Sequence, residues 1–395
     1  MKALQDIRVL DLTRALAGPF CTLMLGDYGA DVVKIELPGT GDDTRRWGPP
    51  FIGEESAYFL SINRNKRSLT LNFKEPEAIE IFLRLVEKAD VVVENFTPGV
   101  MGRFGLDYPA VKSANPQIVY CSISGFGQDG PYQNRPAYDQ IMQGVSGLMS
   151  ITGEADGEPQ KVGIAVSDIG AGMWAAFAVM TALHHRERTG EGQYIDISML
   201  DAQIAWLTYQ AAYFFANDEP PQRIGAAHPT LVPYQAFMSQ DGKYVNVAVG
   251  SERIWERFCE GIDWVDLKTN PEFTLNGDRV RNRATLVPLL QEYFLTKPAS
   301  HWLEVLQAVN VPAGPINDLA DVFSDPQVLH RQMLLEMPHP TLKSIKQTGL
   351  PLKFSATPGG LDRHPPLLGE HNREILEDLG YSAAAVERLV EKSII

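Results

Sequence analysis

The chain has 395 residues, of which 44% are hydrophobic, and its formal net charge is −14 at pH 7. This length is enough for two or three domains with large cores. The negative charge argues against nucleic acids and anionic membranes as partners, although a local cluster of basic residues can still bind an anion. No apolar run reaches about 18 residues, so we expect no membrane span.

The cysteines and histidines give no sign of a metal centre. Cys21, Cys121 and Cys259 lie far apart, and no histidine forms a ligand pair with an acidic partner. Few cysteines are typical of a reducing compartment, and residues 1–6 lack the apolar core of a signal peptide. We therefore expect a cytoplasmic protein without a bound metal.

Strand-like and helix-like segments alternate along the first half of the chain, at the spacing of an α/β fold. Strands are predicted at 7–12, 31–36, 68–72, 90–94, 117–123 and 193–198. Helices are predicted at 20–28, 76–88, from Ser167 or Asp168 to the glycine at 190, and at 199–215. The pattern predicts a doubly wound parallel sheet, in which ligands bind beyond the strand ends. The Gly-x-Gly-x-x-Gly fingerprint is absent after the first strand, so we predict no nicotinamide or flavin site.

A second unit follows the Pro- and Gly-rich segment 217–233. A strand is predicted at 244–249, with helices near 252–262, 278–294 and 299–309. Another linker is predicted at 311–316. The tail has strand and loop character and ends in a helix near 382–392.

The stretch from Val166 to Trp174 is the best candidate for a reactive centre. Asp168 precedes the small residues Gly170, Ala171 and Gly172 at the start of an apolar helical pattern. Asp168 is either a helix N-cap, which contributes about 1 kcal/mol, or a nucleophile that the helix dipole keeps ionised. The two roles are compatible. The small residues are expected to leave space for a ligand beside the carboxylate.

Basic residues lie in or near the predicted ligand loops. They are Arg45, Arg46, Arg64, Lys66, Arg67, Arg103 and Arg135. Each one alone is typical of a solvated surface or an ion pair. As a set around the strand ends, they are candidates to hold a phosphate-bearing ligand, because arginine makes strong charge-assisted bonds to phosphate.

Several motifs follow one another along the whole chain. The opening VLDLT and AGP within 9–19 is followed by GADVVKIE at 29–36 and NKRSL at 65–69. Further motifs are VENFTPG at 93–99, RPAYD at 135–139, RTGEGQ at 188–193 and PLLGEH at 366–371. In this order, the motifs resemble those of family III CoA-transferases, the family of formyl-CoA transferase, carnitine CoA-transferase and α-methylacyl-CoA racemase.

The resemblance implies a fold and an assembly. A large Rossmann-like α/β domain is built from both chain ends, a smaller α+β domain comes from the middle, and two subunits interlock as a homodimer. The expected boundaries are 1–216 and 331–395 for the large domain, 234–310 for the small domain, and 217–233 and 311–330 for the linkers.

The resemblance also implies an activity. CoA moves from an acyl-CoA, here expected to be succinyl-CoA or another dicarboxylyl-CoA, to a small carboxylic acid. Asp168 matches the family's catalytic aspartate, which passes through an aspartyl anhydride and an aspartyl-CoA thioester. The CoA thioester is thus a substrate, and no permanently bound cofactor is expected. The implied CoA-groove residues are Leu16, Ala17, Leu71, Asn72, Asn95, Phe96, Thr97, Arg103, Tyr138 and Asp139. The Gly250 turn matches the family's mobile active-site loop.

The chain departs from the family pattern at several positions. Leu37 and Pro136 stand where formyl-CoA transferase has basic CoA-contacting residues, which weakens oxalate and formyl-CoA as the substrate pair. The family's racemases carry a histidine where this chain has Tyr138. Since a phenol with a pKa near 10 is a poor acid–base group at neutral pH, transfer is favoured over racemisation. A racemase or epimerase and a non-catalytic CoA-binding paralogue remain the alternatives.

Overall fold

A computed structural model describes residues 1–395, which form two compact units. The first unit comprises Met1–Leu148, Lys161–Asn217 and Gln327–Ile395, and the second comprises Met149–Gln160 and Asp218–Pro326. The first unit is therefore built from both ends of the chain. The segment 149–160 groups with the second unit, although it lies inside the range 1–216 expected for the large domain.

Strands and helices follow one another along the chain. The strands are β1 (Arg8–Asp11), β2 (Asp31–Glu36), β3 (Phe51–Ile52), β4 (Glu55–Ser56), β5 (Lys66–Thr70), β6 (Val91–Glu94), β7 (Val119–Ser124), β8 (Tyr194–Ser198), β9 (Tyr234–Met238), β10 (Tyr244–Ala248), β11 (Ala313–Pro315), β12 (Leu334–His339) and β13 (Lys343–Thr348). The α-helices are α1 (Ala17–Asp27), α2 (Ala57–Ile62), α3 (Pro76–Val86), α4 (Val100–Arg103), α5 (Tyr108–Ala114), α6 (Asp139–Val145), α7 (Val166–Thr189), α8 (Met199–Ala205), α9 (Thr208–Asn217), α10 (Glu252–Gly261), α11 (Asp266–Thr269), α12 (Asn276–Arg281), α13 (Arg283–Phe294), α14 (Ala299–Ala308), α15 (Leu319–Ser324), α16 (Pro326–His330), α17 (Asn372–Asp378) and α18 (Ala383–Glu391). Short 3₁₀ turns lie at Asp43–Arg46 and Leu148–Ile151.

The first unit contains a six-stranded sheet in the order β5-β2-β1-β6-β7-β8, and all its pairs are parallel. This order confirms the predicted doubly wound α/β fold. The chain reverses its direction of winding between β1 and β6. At such a switch point the loops after neighbouring strands diverge and leave a crevice at the carboxyl ends of the strands.

Side chains alternate between the two faces of this sheet, and helices cover both faces. Val9 packs with α1 and α7 on one face, whereas Leu10 packs with α3, α17 and α18 on the other. Because both faces are buried, the strands read as continuous apolar runs rather than as alternating patterns. Five of the strands predicted for this sheet agree with the observed bounds within two residues, whereas the strand predicted at 68–72 is shifted as a whole and begins and ends two residues late, because β5 starts with the buried polar residues Lys66 and Arg67.

The second unit has its own core. The antiparallel sheet β11-β10-β9 packs with α10, α13 and α14 around Phe237, Phe258 and Phe294, whose rings stack. β11 lies in the segment 311–330, which was predicted to be a linker and also contains α15 and α16. Its Pro- and Gly-rich sequence suits an edge strand, which needs fewer backbone donors.

The predicted helix at 199–215 is wrong, because the structure has two helices, α8 and α9, in its place. The chain breaks at Trp206, and Thr208 has a φ of +37°. The break places the Trp206 ring over Gly170 of α7, where an added Cβ would lie 2.7 Å from the indole. Tertiary packing against α7 therefore overrides the local helical preference.

Helix α7 has the length and apolar composition of a membrane-spanning helix, and half of its most apolar window is buried inside the protein. Its buried side packs against α1, β7 and α8. The length and apolar composition of α7 are also typical of the core helix of a folded domain.

The C-terminal end of α7 tests how strictly the fold requires glycine. Gly190 has a φ of +76° and ends the helix as predicted. We expect Gly190→Ala to lower the free energy of unfolding by about 1 kcal/mol, because a side chain strains this backbone conformation. Urea unfolding measures it. Gly163→Ala is the matched control, since nothing lies within 4 Å of its added Cβ, and an equal loss there would contradict the prediction.

Candidate active site

The loop after β1 and the loop after β6 border the switch point, where an open α/β sheet is expected to have its ligand crevice. Asn95 joins the two loops: its side-chain oxygen accepts the Arg14 N–H at 2.8 Å, and its side-chain nitrogen donates to the Arg14 carbonyl at 2.8 Å. The Arg14 guanidinium lies over the Phe96 ring at 5.3 Å. The loop after β1 is therefore held in a single position at the edge of the crevice.

Asp168 lies on the first turn of α7 beside this loop. The helix begins at Val166, its N-cap is Ala165, and no side chain caps it. The N-cap role considered for Asp168 is therefore wrong, because Asp168 is already the third helical residue. At that position its carboxylate still meets main-chain N–H groups, those of Ala17 and of Asp168 itself.

The small residues after Asp168 do not provide open space for a ligand, contrary to expectation. An added Cβ at Gly172 would lie 2.6 Å from the Ala17 carbonyl oxygen, and one at Gly170 would meet Trp206. These glycines instead allow α1 and Trp206 to pack closely against α7.

The carboxylate of Asp168 is not simply kept ionised by the helix dipole. Burial, followed by the nearby charge of Asp139, raises its pKa to about 7, while the N–H groups of Ala17 and Asp168 act in the opposite direction. Partial desolvation and like-charge repulsion outweigh the dipole here. Both the ionised and the neutral form of Asp168 are therefore accessible near neutral pH.

Asp139 connects α6 to the start of α7. One carboxylate oxygen accepts the Ser167 N–H at 2.9 Å, and the other accepts the Gln143 side-chain amide at 2.7 Å. Gln143 in turn accepts the Val162 N–H at 2.8 Å. Asp139 thus fixes the backbone next to Asp168 and supplies the negative charge that keeps the pKa of Asp168 high.

Tyr58 is a site residue that the sequence reasoning missed. Burial and then the charges of Asp168 and Asp139 raise its pKa to about 12, which indicates that its phenol lies near both carboxylates. Its ring meets Trp47 edge-on at 5.1 Å. No local pattern marks Tyr58, because the sequence around it reads as an ordinary short apolar helix.

Most of the basic residues proposed as a phosphate cradle are engaged elsewhere. Arg64 pairs with Asp27, Lys66 with Asp11, and Arg67 with Asp31 and Glu374, and all three basic side chains are buried. Arg45 is bound to Glu36. The hypothesis of a phosphate site at 64–67 is therefore wrong, because these cations neutralise carboxylates inside the fold.

Comparisons with known proteins agree along the whole chain. The sequence profile described as CoA-transferase family III matches residues 4–372. The succinyl-CoA:glutarate CoA-transferase of Mus musculus is 43% identical over 100% of this chain and 91% of its own length. The succinyl-CoA:mesaconate CoA-transferase of Haloarcula marismortui is 42% identical over 96% of this chain and 97% of its own length.

A solved structure agrees with these sequence matches. The crystal structure of a CAIB/BAIF family protein from Brucella suis superposes with a TM-score of 0.86, at 42% identity, and covers 96% of this chain and 99% of that protein. The chain belongs to CoA-transferase family III. The protein is therefore an enzyme that uses a CoA thioester as a substrate.

The residues expected to line the CoA groove of this transferase differ in their exposure. Leu16, Ala17 and Leu71 are buried, and Leu71 packs in the core beneath β2 and α3. Those at least partly exposed are Asn72, Asn95, Phe96, Thr97, Arg103, Tyr138 and Asp139. The CoA-binding roles of this set stay predictions.

Two further expectations concern Gly250 and metal binding. Gly250 lies in the second unit, at the turn between β10 and α10, with nothing within 4 Å of an added Cβ. Its role as an active-site loop stays a prediction. No group of three or more His, Cys, Asp and Glu side chains is arranged to hold a metal ion.

The like charge of Asp139 sets the pH dependence of this site. We expect Asp139→Asn to lower the pKa of Asp168, because the repulsion disappears, and to move the acid limb of kcat/KM for acyl-CoA to lower pH by up to about one unit. Initial rates between pH 5 and 9 measure the limb. Glu191→Gln, just beyond the other end of α7, is the control and should leave it in place. If the acid limb of Asp139→Asn moves to higher pH or does not move, the charge of Asp139 is not what raises the pKa of Asp168.

Proposed function

We propose that this enzyme transfers CoA from a dicarboxylyl-CoA such as succinyl-CoA to a carboxylic acid, with Asp168 as the covalent nucleophile. The observation that carries the proposal is a titratable carboxylate with main-chain donors, at the start of a long helix beside the switch-point crevice. Relatives named for succinyl-CoA, glutarate and mesaconate support the dicarboxylate class.

The first half-reaction forms the aspartyl intermediates. An Asp168 oxygen attacks the thioester carbonyl, the C–S bond breaks, and CoA leaves as a thiolate with an acyl-aspartyl anhydride left behind. The thiolate then attacks the aspartyl carbonyl of the anhydride. The donor acid leaves as a carboxylate, and Asp168 carries CoA as a thioester.

In the second half-reaction, the same types of bond form and break in reverse order, with the acceptor acid in place of the donor acid. The acceptor carboxylate attacks the aspartyl-CoA carbonyl, which releases the thiolate and forms a second anhydride. The thiolate attacks the acceptor's carbonyl, giving the new acyl-CoA and the free Asp168 carboxylate. The N–H groups of Ala17 and Asp168 stabilise the negative charge at the aspartyl oxygens. Since each step passes an acyl group or CoA between carboxylate and thiolate, the cycle needs no permanently bound cofactor.

The racemase alternative has less support. Racemisation needs acid–base groups on both sides of the substrate's α-carbon. Tyr138, at the family's histidine position, is 69% exposed. A non-catalytic paralogue would have no need for a titratable carboxylate here.

We propose further that the enzyme is a cytoplasmic homodimer that does not enter a membrane. Its three cysteines are free and buried, as suits a reducing compartment. Large apolar side chains lie exposed along α7 and α9 of the first unit, and these are Met173, Trp174, Phe177, Met180, Tyr209 and Phe215. An exposed apolar surface of this extent is typical of an interface between subunits. A second copy of the chain would bury it.

The covalent route is tested by mass spectrometry after mixing with succinyl-CoA and hydroxylamine. We expect a hydroxamate on the peptide that carries Asp168, because hydroxylamine captures both the anhydride and the thioester. Asp168→Asn should abolish the adduct and turnover. Asp201→Asn is the matched control, since Asp201 is also the third residue of its helix, and it should retain both.

Other outcomes would identify other functions. No adduct together with exchange of the α-proton of a branched acyl-CoA would replace the transferase assignment with a racemase. CoA affinity without adduct, exchange or turnover across a set of donors would indicate a binding protein. With the adduct present, turnover with acceptor acids identifies the acid pair, and faster transfer to monocarboxylates than to dicarboxylates would contradict the proposed class.

The dimer is tested by sedimentation velocity at micromolar concentration, where we expect twice the chain mass of 43.7 kDa. Phe177→Glu should weaken the assembly, because it places a charge on a side chain that the second copy would bury. Val390→Glu, which changes an exposed apolar residue on α18, is the control and should sediment like the wild type. A wild-type monomer would refute the dimer.

A further inference from the structure

Two buried lysines hold the two ends of the loop that leads to Ala17. The Lys66 ammonium donates to Asp11 and to the Pro19 carbonyl, both at 3.0 Å. The Lys34 ammonium donates to the Thr13 carbonyl at 2.8 Å and to Asp42 at 2.9 Å. Neither lysine has any solvent exposure, so neither is available to bind substrate.

Carboxylates complete the network under this loop. Asp11 accepts the Thr13 N–H at 2.9 Å and the Thr22 hydroxyl at 2.6 Å. Asp42 accepts the Ala15 N–H at 3.3 Å. The segment Thr13–Pro19 is thus bonded at its start, its middle and its end to groups that are themselves fully buried.

The loop needs this support because its backbone is strained. Ala15 has a φ of +61°, a region that residues with a Cβ rarely adopt. Such a conformation persists only where the surroundings hold it in place, and it is concentrated at functional sites. The bonds from Lys34 and Lys66 on either side of Ala15 supply that support.

The loop delivers Ala17 to one particular face of α7. Asp168 and Gly172 are four residues apart and so lie on the same face of the helix. The Ala17 carbonyl oxygen would lie 2.6 Å from an added Cβ at Gly172, one turn from Asp168, and the Ala17 N–H is one of the groups that lower the pKa of the Asp168 carboxylate. A small displacement of the loop would withdraw this donor from the carboxylate.

We propose that Lys34 and Lys66 are positioning residues for CoA transfer, which hold the segment Thr13–Pro19 so that the main chain of Ala17 stays packed against α7 beside the Asp168 carboxylate. This role rests on the proposed function of Asp168. The lysines act through the backbone of the loop and touch neither substrate nor the reacting atoms.

If the lysines only stabilised the fold, their loss would have the same effect as the loss of any other buried ion pair. Helix α1 has such a pair for comparison. Arg64 and Asp27 form an equally buried pair at the other end of α1, with a distance of 2.6 Å. Losing that pair removes buried charges from the same helix but leaves the loop at Ala17 untouched. Other groups facing Asp168 are Asp139 and Tyr58, and both pairs of variants leave them unchanged.

The test compares two double variants that each remove both charges, so that no ion is left unpaired. In Asp11→Asn with Lys66→Met, we expect kcat to fall about tenfold to a hundredfold, as for other small displacements of catalytic groups. The acid limb of the kcat/KM profile should move to higher pH, because the carboxylate loses a donor. Asp27→Asn with Arg64→Met should lose thermal stability but keep the wild-type limb.

The outcomes separate positioning from stability. If the variant Asp11→Asn with Lys66→Met is folded at the assay temperature and keeps the wild-type acid limb, the proposal is overturned, and an equal shift in the control variant overturns it as well. If the double variant does not fold, Thr22→Val decides, since it removes only one hydrogen bond to Asp11. The same upward shift, smaller in size, is expected there, and an unchanged limb overturns the proposal. If the wild-type enzyme forms no hydroxylamine adduct at Asp168, the proposed function itself is refuted.

Discussion

The close approach of α1 to α7 is the contact on which the active site depends. It is possible only because Gly172 has no Cβ where the Ala17 carbonyl lies, and because Gly18 has none where the Thr13 side chain lies. The loop after β1 can then reach the first turn of α7. As a result, the Asp168 carboxylate on α7 lies near the main-chain N–H of Ala17 at the start of α1.

Two aspartates near this contact show how environment decides ionisation. Burial alone would raise the pKa of Asp11, but the charges of Lys66 and Lys34 and two hydroxyl donors hold it below its usual range. Asp168 has no cation beside it, so burial and Asp139 raise its pKa to about 7. The first carboxylate is a permanent structural anion, and the second can alternate between charged and neutral forms near physiological pH.

The sheet order explains why these groups meet. Strands β1 and β6 are neighbours, yet the chain winds away from them in opposite directions, so the loops after them separate and leave a crevice. Asn95 spans its edge with two bonds to Arg14. Lys66, from the basic run at 64–67, lies inside the fold beneath the loop after β1, whereas Arg64 and Arg67 pair with Asp27 and Asp31 elsewhere in the fold.

The sequence by itself determined the α/β class, most strand positions and the helix end at Gly190, because hydrophobic period and glycine chemistry act locally. Only the tertiary structure decided the break at Trp206, the strand β11, the pairing of Arg64, Lys66 and Arg67, and the presence of Tyr58 near Asp168. These depend on which distant residues meet. A lysine in a sequence reads the same whether its partner is water, phosphate or a buried aspartate, and only the packed chain brings the partner to it.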